Sequence, residues 1–259
     1  ADHVHLGAGC THALFCAARA TLDPGDEVLV ASPYWPLIPG VLRSAGATVV
    51  EVPVTQELLA DPSVDVLARF EACRTGRTRA VYFITPNNPD GLVWPRAAVE
   101  AVASFAQRHG LWLFADEVYA DYVYAGEHVS VADLDGMAAR TITSFSMSKS
   151  HGLAGARIGY VVAEPEVVAA CRRISNHTLY NVPMPMQRAA LTAVQQGDAW
   201  IAEAQRTYRS ARDATVSALA EVGIPAQAPA GGSFVFVDLR GALDGRPLQE
   251  LLERAIDEG

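Results

Sequence analysis

The sequence predicts an α/β fold built on a largely parallel sheet, and three features carry that expectation. Short β-rich runs alternate with helical patterns, the order that pairs strands in parallel through helical crossovers. Several of the runs are apolar at nearly every position, as strands covered on both faces are. Turns rich in glycine, proline and polar residues follow the runs, and in parallel sheets ligands bind just beyond the carboxyl ends of the strands.

In chain order, an apolar N-terminal segment runs into Gly7-Ala8-Gly9-Cys10-Thr11, which opens a helix over 11–21. Strands are expected at 27–31, 47–52, 80–84, 111–115, 140–145, 158–163 and 233–238. Helices are expected between them at 36–45, 64–73, 95–109, 165–176 and 185–195. Pro95 and Pro165 stand where a first helical turn tolerates proline. Residues 198–221 read as one long amphipathic helix without glycine, a connector to a second unit that starts near Gly223 and includes a helical run at 248–258. The expected division is a large domain over 1–198, a connecting helix over 199–222, and part of a small domain over 223–259.

Composition narrows the function classes. The 259 residues are 50% hydrophobic and 19% charged with a net charge of −9, and no basic run occurs, which argues against a nucleic-acid surface. No apolar stretch reaches the ~18 residues of a membrane span. The segment Ala1-Asp2-His3-Val4-His5 does not read as a signal peptide. Four cysteines without CxxC spacing fit a reducing cytoplasm, and seven scattered histidines without HExxH spacing predict no metal site.

The chain holds a single lysine, Lys149, against nineteen arginines. An amine can lose its proton and form a Schiff base with an aldehyde, which a guanidinium cannot. Lys149 lies in Ser146-Met147-Ser148-Lys149, just after the strand expected at 140–145, and Arg157 follows eight residues later with a fork suited to phosphate. The other strand ends complete a set. Gly9, Cys10 and Thr11 open a helix whose free N–H groups favour an anion. Tyr34-Trp35 offers an aromatic face. Thr85-Pro86-Asn87-Asn88-Pro89 holds an amide between two prolines. Asp116-Glu117-Val118-Tyr119 places a carboxylate and a phenol at a buried strand end, where the acid requires a partner. Phosphate cradle, ring face, amide, carboxylate with phenol, and amine are what pyridoxal phosphate needs for its phosphate, ring, 3-oxygen, pyridine nitrogen and aldehyde.

Carried by these motifs and by Asn88-Pro89-Asp90-Gly91, the chain resembles the class I and II aminotransferases, the fold type I pyridoxal-phosphate enzymes. The resemblance implies a three-layer α/β/α large domain with a mostly parallel seven-stranded sheet, plus part of a small α/β domain. It implies that Lys149 binds the cofactor aldehyde, Asp116 pairs with the ring nitrogen, Tyr119 and Asn88 bind the 3-oxygen, Trp35 stacks on the ring, and Gly9, Cys10, Thr11, Ser146 and Arg157 hold the phosphate. Lys149, Asp116 and Tyr119 are the expected catalytic residues. It implies a homodimer in which Tyr180 and Asn181 reach the partner's site, and substrates that are an amino acid and a 2-oxo acid, with Asn88 also touching substrate.

Three departures accompany the resemblance. Asp90 stands where the family usually has Thr or Ser, which admits lyase chemistry. The family's N-terminal arm falls before Ala1, and its carboxylate-clamping arginine falls after Gly259, so the sequence matches the family without either end. The expected activity is amino-group transfer through a Schiff base at Lys149. The alternatives are a pyridoxal-phosphate lyase (C–S cleavage or β-elimination) or decarboxylase on the same scaffold, and a non-catalytic ligand-binding domain. The lack of arginine between Arg173 and Arg188 points to a neutral or aromatic substrate side chain.

Overall fold

The computed structural model describes residues 2–243 and 245–258. Its core is one seven-stranded sheet made of β1 (Val4–Ala8), β2 (Glu27–Ser32), β3 (Thr48–Pro53), β4 (Thr78–Ile84), β5 (Trp112–Asp116), β6 (Thr141–Ser146) and β7 (Ile158–Val162), in the order β1-β7-β6-β5-β4-β2-β3. Neighbouring strands from β3 to β6 pair in parallel, and β7 runs antiparallel to both β6 and β1. The carboxyl ends of β2, β4, β5 and β6 therefore open on one edge.

Helices cover both faces, which is why the strands read as unbroken apolar runs. On one face Val28, Val30, Ala80, Tyr82, Ile84 and Phe114 pack with α1 (Gly9–Thr21), α2 (Ile38–Arg43) and α6 (Pro165–Asn176). The alternate residues Leu29, Ala31, Val81, Phe83, Leu113 and Ala115 pack on the other face with α3 (Thr55–Ala60), α4 (Val66–Cys73) and α5 (Arg96–His109). Local signals set the helix ends. Asp65 caps α4 by accepting from the Ala68 amide at 3.0 Å, and Gly110 ends α5 in the left-handed region at φ 64°. The later helices are α7 (Met184–Gln196), α8 (Asp198–Glu221), α9 (Arg240–Leu243) and α10 (Leu248–Glu258). Among the described residues no helix is long and apolar enough to cross a membrane.

Two expectations need correction. Residues 233–238 form no strand; only Gly231 makes an isolated bridge, to Val123. The period-two alternation of exposure persists there, but no neighbouring strand supplies a ladder, and Phe234 and Phe236 remain exposed. The seventh strand is instead β1, a five-residue edge strand containing a histidine and a glycine. Its partner β7 lies about 150 residues downstream, so nothing local marks it.

His5 on β1 is 4% exposed, and its Nε2 has no hydrogen-bond partner among the described residues. Burial, with His12 and Arg172 nearby, lowers its pKa to about 4. The unfolded chain therefore takes up this proton first as pH falls from about 6.5 to 4, so stability present above that window is lost through it. The chain is expected to lose about 1 kcal/mol from this group between pH 7 and pH 5, allowing for solvent screening. Chemical denaturation at both pH values checks this: His5→Gln should flatten the difference.

Candidate functional site

The site begins where α1 meets Arg157. Gly9 starts α1 at φ 74°, and a Cβ there would land on the Arg157 Nη2 atom. Gly159 on β7 is equally constrained, since its Cβ would strike the Cys10 amide nitrogen. Glycine at both positions lets the helix end, the sheet and the guanidinium converge. Among the described residues no side chain caps α1, and its first turn contains no acid, so the dipole of that end is left uncompensated. Arg157 itself lies in the left-handed region at φ 49°, an uncommon conformation for a non-glycine residue, and its Nη1 donates to the Ala154 carbonyl at 3.0 Å. Burial pushes the Cys10 thiol well above its ordinary range, so it adds no negative charge to the cradle. Gly9→Ala is expected to strain the backbone and displace Arg157. It should weaken binding of inorganic phosphate or a phosphate ester about tenfold and cost about 1–2 kcal/mol of stability, which calorimetric titration and thermal melts would measure.

A cleft of ≈ 190 Å³ opens at this edge, and Cys10, Thr11, Trp35, Asn88, Asp116, Tyr119, Ser146, Lys149 and Arg157 all line it. Gly9 lies behind it, against Arg157. Five separate chain segments thus deliver their polar residues to one place. Ser148, also in the lining, was not expected from the sequence; its amide donates to Ser146 Oγ at 3.1 Å.

At the end of β5, Asp116 is 3% exposed. Its Oδ2 accepts from the Tyr82 hydroxyl at 2.7 Å, and its Oδ1 has no hydrogen-bond partner among the described residues. Desolvation raises its pKa to about 6, against the lowering effect of the Tyr82 hydrogen bond. Three residues on, the Tyr119 hydroxyl is buried and likewise unpartnered, and burial pushes it up to about 12. Lys149 Nζ stands 5.5 Å from the Tyr119 ring centroid. The carbonyl of Lys149 accepts from the Tyr122 hydroxyl at 3.1 Å, which ties the lysine loop to the segment after β5. Buried polar atoms are normally satisfied, so an orphaned carboxylate oxygen and an orphaned phenol in one cleft mark positions that a bound group would fill. A ring carrying an N–H and an oxygen fits both, and the helix end with Arg157 fits its phosphate.

The sequence profile of the family described as aminotransferase class I and II matches residues 1–256. The chain belongs to this family. It is 38% identical over 258 residues to the arginine–pyruvate transaminase of Pseudomonas aeruginosa, covering 99% of this chain and 64% of that protein. With the aspartate/prephenate aminotransferase of Thermus thermophilus the identity is 36% over 235 residues, covering 89% of this chain and 59% of the relative. Among solved structures, a tetra-mutant Thermus thermophilus aspartate aminotransferase complexed with tryptophan superposes with a TM-score of 0.90 at 33% identity, over 97% of this chain and 66% of that one. The aromatic aminotransferase of Pyrococcus horikoshii gives 0.86 at 29%, over 92% and 64%. The chain spans about three fifths of the length of the curated relatives it matches. Pyridoxal phosphate is the cofactor of this family.

In this member of the family, the two neighbouring asparagines divide their work. Asn88 lines the cleft, whereas Asn87 is buried and donates from Nδ2 to the Pro33 carbonyl at 3.0 Å and to Asp90 Oδ1 at 2.7 Å. Asp90 is buried away from the cleft lining. It also accepts from the Leu92 amide at 3.1 Å, Thr55 Oγ1 at 2.7 Å and Gln56 Nε2 at 3.0 Å. Asp90, in place of the usual Thr or Ser, therefore braces the loop that carries Asn88. Tyr34 is held by Glu51, its hydroxyl donating to Oε1 at 2.6 Å, and of the pair Tyr34-Trp35 it is Trp35 that lines the cleft.

Tyr180 and Asn181 do not join the cleft. They line a separate depression with His5, Arg172 and Asn176, and Tyr180 is 74% exposed at φ 72°.

Proposed function

We propose that this protein is a pyridoxal-phosphate-dependent aminotransferase that moves an amino group between an amino acid and a 2-oxo acid. One observation carries the reading most: the orphaned Asp116 Oδ1 and the amine of the single lysine share a cleft with an uncompensated helix end and Arg157. Pyridoxal phosphate, when bound, supplies the electron sink that makes a bond at the substrate Cα breakable. The chain's own residues do the rest. Asp116 offers its free oxygen to a protonated ring nitrogen, which keeps the ring electron-poor. Lys149 would hold the aldehyde end of the cofactor, and its amine Nζ would take and return a proton. Tyr119 and Asn88 hold the ring oxygen and Trp35 covers the ring face, with Asn88 also within the substrate's reach. Arg157, Ser146, Thr11 and the amides from Gly9 and Cys10 onward hold the phosphate.

The large-domain reading over 1–198, with 199–222 connecting to 223–259, follows the placement of the whole sheet before α8. We assign Tyr180 and Asn181 to a partner contact in a homodimer, because they are turned away from their own chain's cleft on an exposed segment. Free cysteines and the composition favour a cytoplasmic setting.

The test uses the wild-type chain. Incubation with pyridoxal phosphate should give a visible absorption band, and borohydride should then fix one cofactor per chain on the peptide containing Lys149. A chain that takes up no reducible cofactor would overturn the reading. Transamination is assayed with amino donors and pyruvate. Release of ammonia without an acceptor would indicate a lyase instead.

A further inference from the structure

We propose that Tyr82 is a positioning residue for Asp116: its phenol occupies Oδ2, fixes the carboxylate and holds it ionised, so that Oδ1 alone is presented to the ring nitrogen of the cofactor. The proposal rests on the pyridoxal-phosphate reading above.

The register of the sheet makes the pair. β4 and β5 run parallel with Tyr82 opposite Phe114 and Ile84 opposite Asp116. Residues two apart share a face, so Tyr82 and Asp116 are diagonal neighbours on the α1 side of the sheet. Tyr82 is fully buried and its hydroxyl donates to Oδ2 at 2.7 Å. Phenylalanine would fill the same space in the otherwise apolar run Ala80-Val81-Tyr82-Phe83-Ile84. The oxygen is the one polar addition, and it is directed at the acid.

That hydrogen bond selects a protonation state. Burial first, and then the neighbouring Asp116 charge, push the Tyr82 phenol well above its ordinary range, so it remains a donor across the neutral range. A donor at Oδ2 favours a carboxylate over a carboxylic acid. The acid form would have to carry its proton at Oδ1, where no acceptor stands among the described residues. The ionised form leaves Oδ1 as an unpaired acceptor, which a protonated ring nitrogen satisfies. Among the other groups facing Asp116, the Ser144 side chain and the Val118 backbone amide also favour the ionised form, each less than Tyr82 does. Cys10 from α1 is a neutral thiol, and Ser144 from β6 is a hydroxyl. On Asp116's own turn, Tyr119 is a protonated phenol, and Glu117 is engaged by His128 at 3.0 Å and Ser130 at 2.8 Å. Lys149 stands across the cleft.

The variant Tyr82→Phe separates this role from packing. In the cofactor-free chain, the Asp116 ¹³C-carboxyl resonance, assigned by its absence from Asp116→Asn, should titrate about one unit higher in Tyr82→Phe than in wild type. The pyridoxal-phosphate dissociation constant should rise about threefold at pH 6.5 and return to within about 1.2-fold of wild type at pH 8.5. In the Asp116→Asn background, Tyr82→Phe should have no further effect. An unshifted Asp116 midpoint in a chain that binds the cofactor, or equal weakening at both pH values, overturns the role of Tyr82 and leaves the cofactor reading standing. A wild-type chain that binds no pyridoxal phosphate at either pH overturns both. Should Tyr82→Phe fail to fold, the wild-type titration decides: Asp116 ionised at pH 7 supports the proposal, and Asp116 still protonated at pH 8 overturns it.

Discussion

Asp116→Asn is expected to lower transamination by at least two to three powers of ten while leaving the cofactor-free chain as stable as wild type or more so. The amide brings no negative charge to offset a ring nitrogen's proton, so the ring loses its electron-withdrawing character. The loss corresponds to about 3–4 kcal/mol of barrier. The stability effect has the opposite sign. Burial raises the folded pKa of Asp116 from 3.8 to about 6. Between those values the folded chain holds a proton that the unfolded chain has released. The contribution is fully present below pH 3.8 and is lost as pH rises through 6, a difference of about 3 kcal/mol. At pH 7.5 the wild-type apoprotein carries that cost, and the asparagine variant does not. Thermal melts of both apoproteins at pH 4 and pH 7.5, beside turnover at pH 7.5, measure the two effects. A variant less stable than wild type by several kcal/mol at pH 7.5 would contradict the electrostatic account of this carboxylate.

Lys149→Arg and Lys149→Ala are expected to bring turnover to background, at least about 10⁴-fold down, the upper end of what one positioned acid–base group contributes. Arginine keeps the positive charge but not an amine that can lose its proton at neutral pH. If charge alone mattered, arginine would rescue alanine. No rescue is expected, and neither variant should retain a borohydride-fixed label, because the chain has no second lysine to accept it. Cofactor held by Arg157 and the start of α1 should still bind, reversibly and more weakly, and should be removed by dialysis. A stable reduced adduct in Lys149→Ala would contradict the role given to Lys149.

The distribution of chemistry along the chain was legible because a parallel sheet converts sequence order into a shared edge. Each β-rich run announced itself by apolar, β-branched residues, and the polar residues after it came to one edge wherever the strands ran in parallel. α6 and α8 were legible to the residue: Pro165 opens α6, and no glycine interrupts α8. Two of the short elements were not, although the six-residue α2 was. α3 and α9 are six and four residues long, too short for a 3.6-residue period to stand out.

Sequence alone determined that an amine, a carboxylate with a phenol, an amide, an aromatic and a guanidinium follow successive strands, because residue identity and order are local facts. Tertiary structure decided which neighbours they meet. Asn87 and Asn88 are indistinguishable in a string, yet one braces Asp90 and the other lines the cleft, because the turn points them in opposite directions. Tyr82 read as one more apolar residue, since a strand covered on both faces gives no alternation to show which side a ring takes. Only the β4–β5 register places its hydroxyl on Asp116. The same holds for β1 against 233–238. Both are short segments of mixed pattern, and a strand exists only where the fold brings a second backbone alongside to complete its hydrogen bonds.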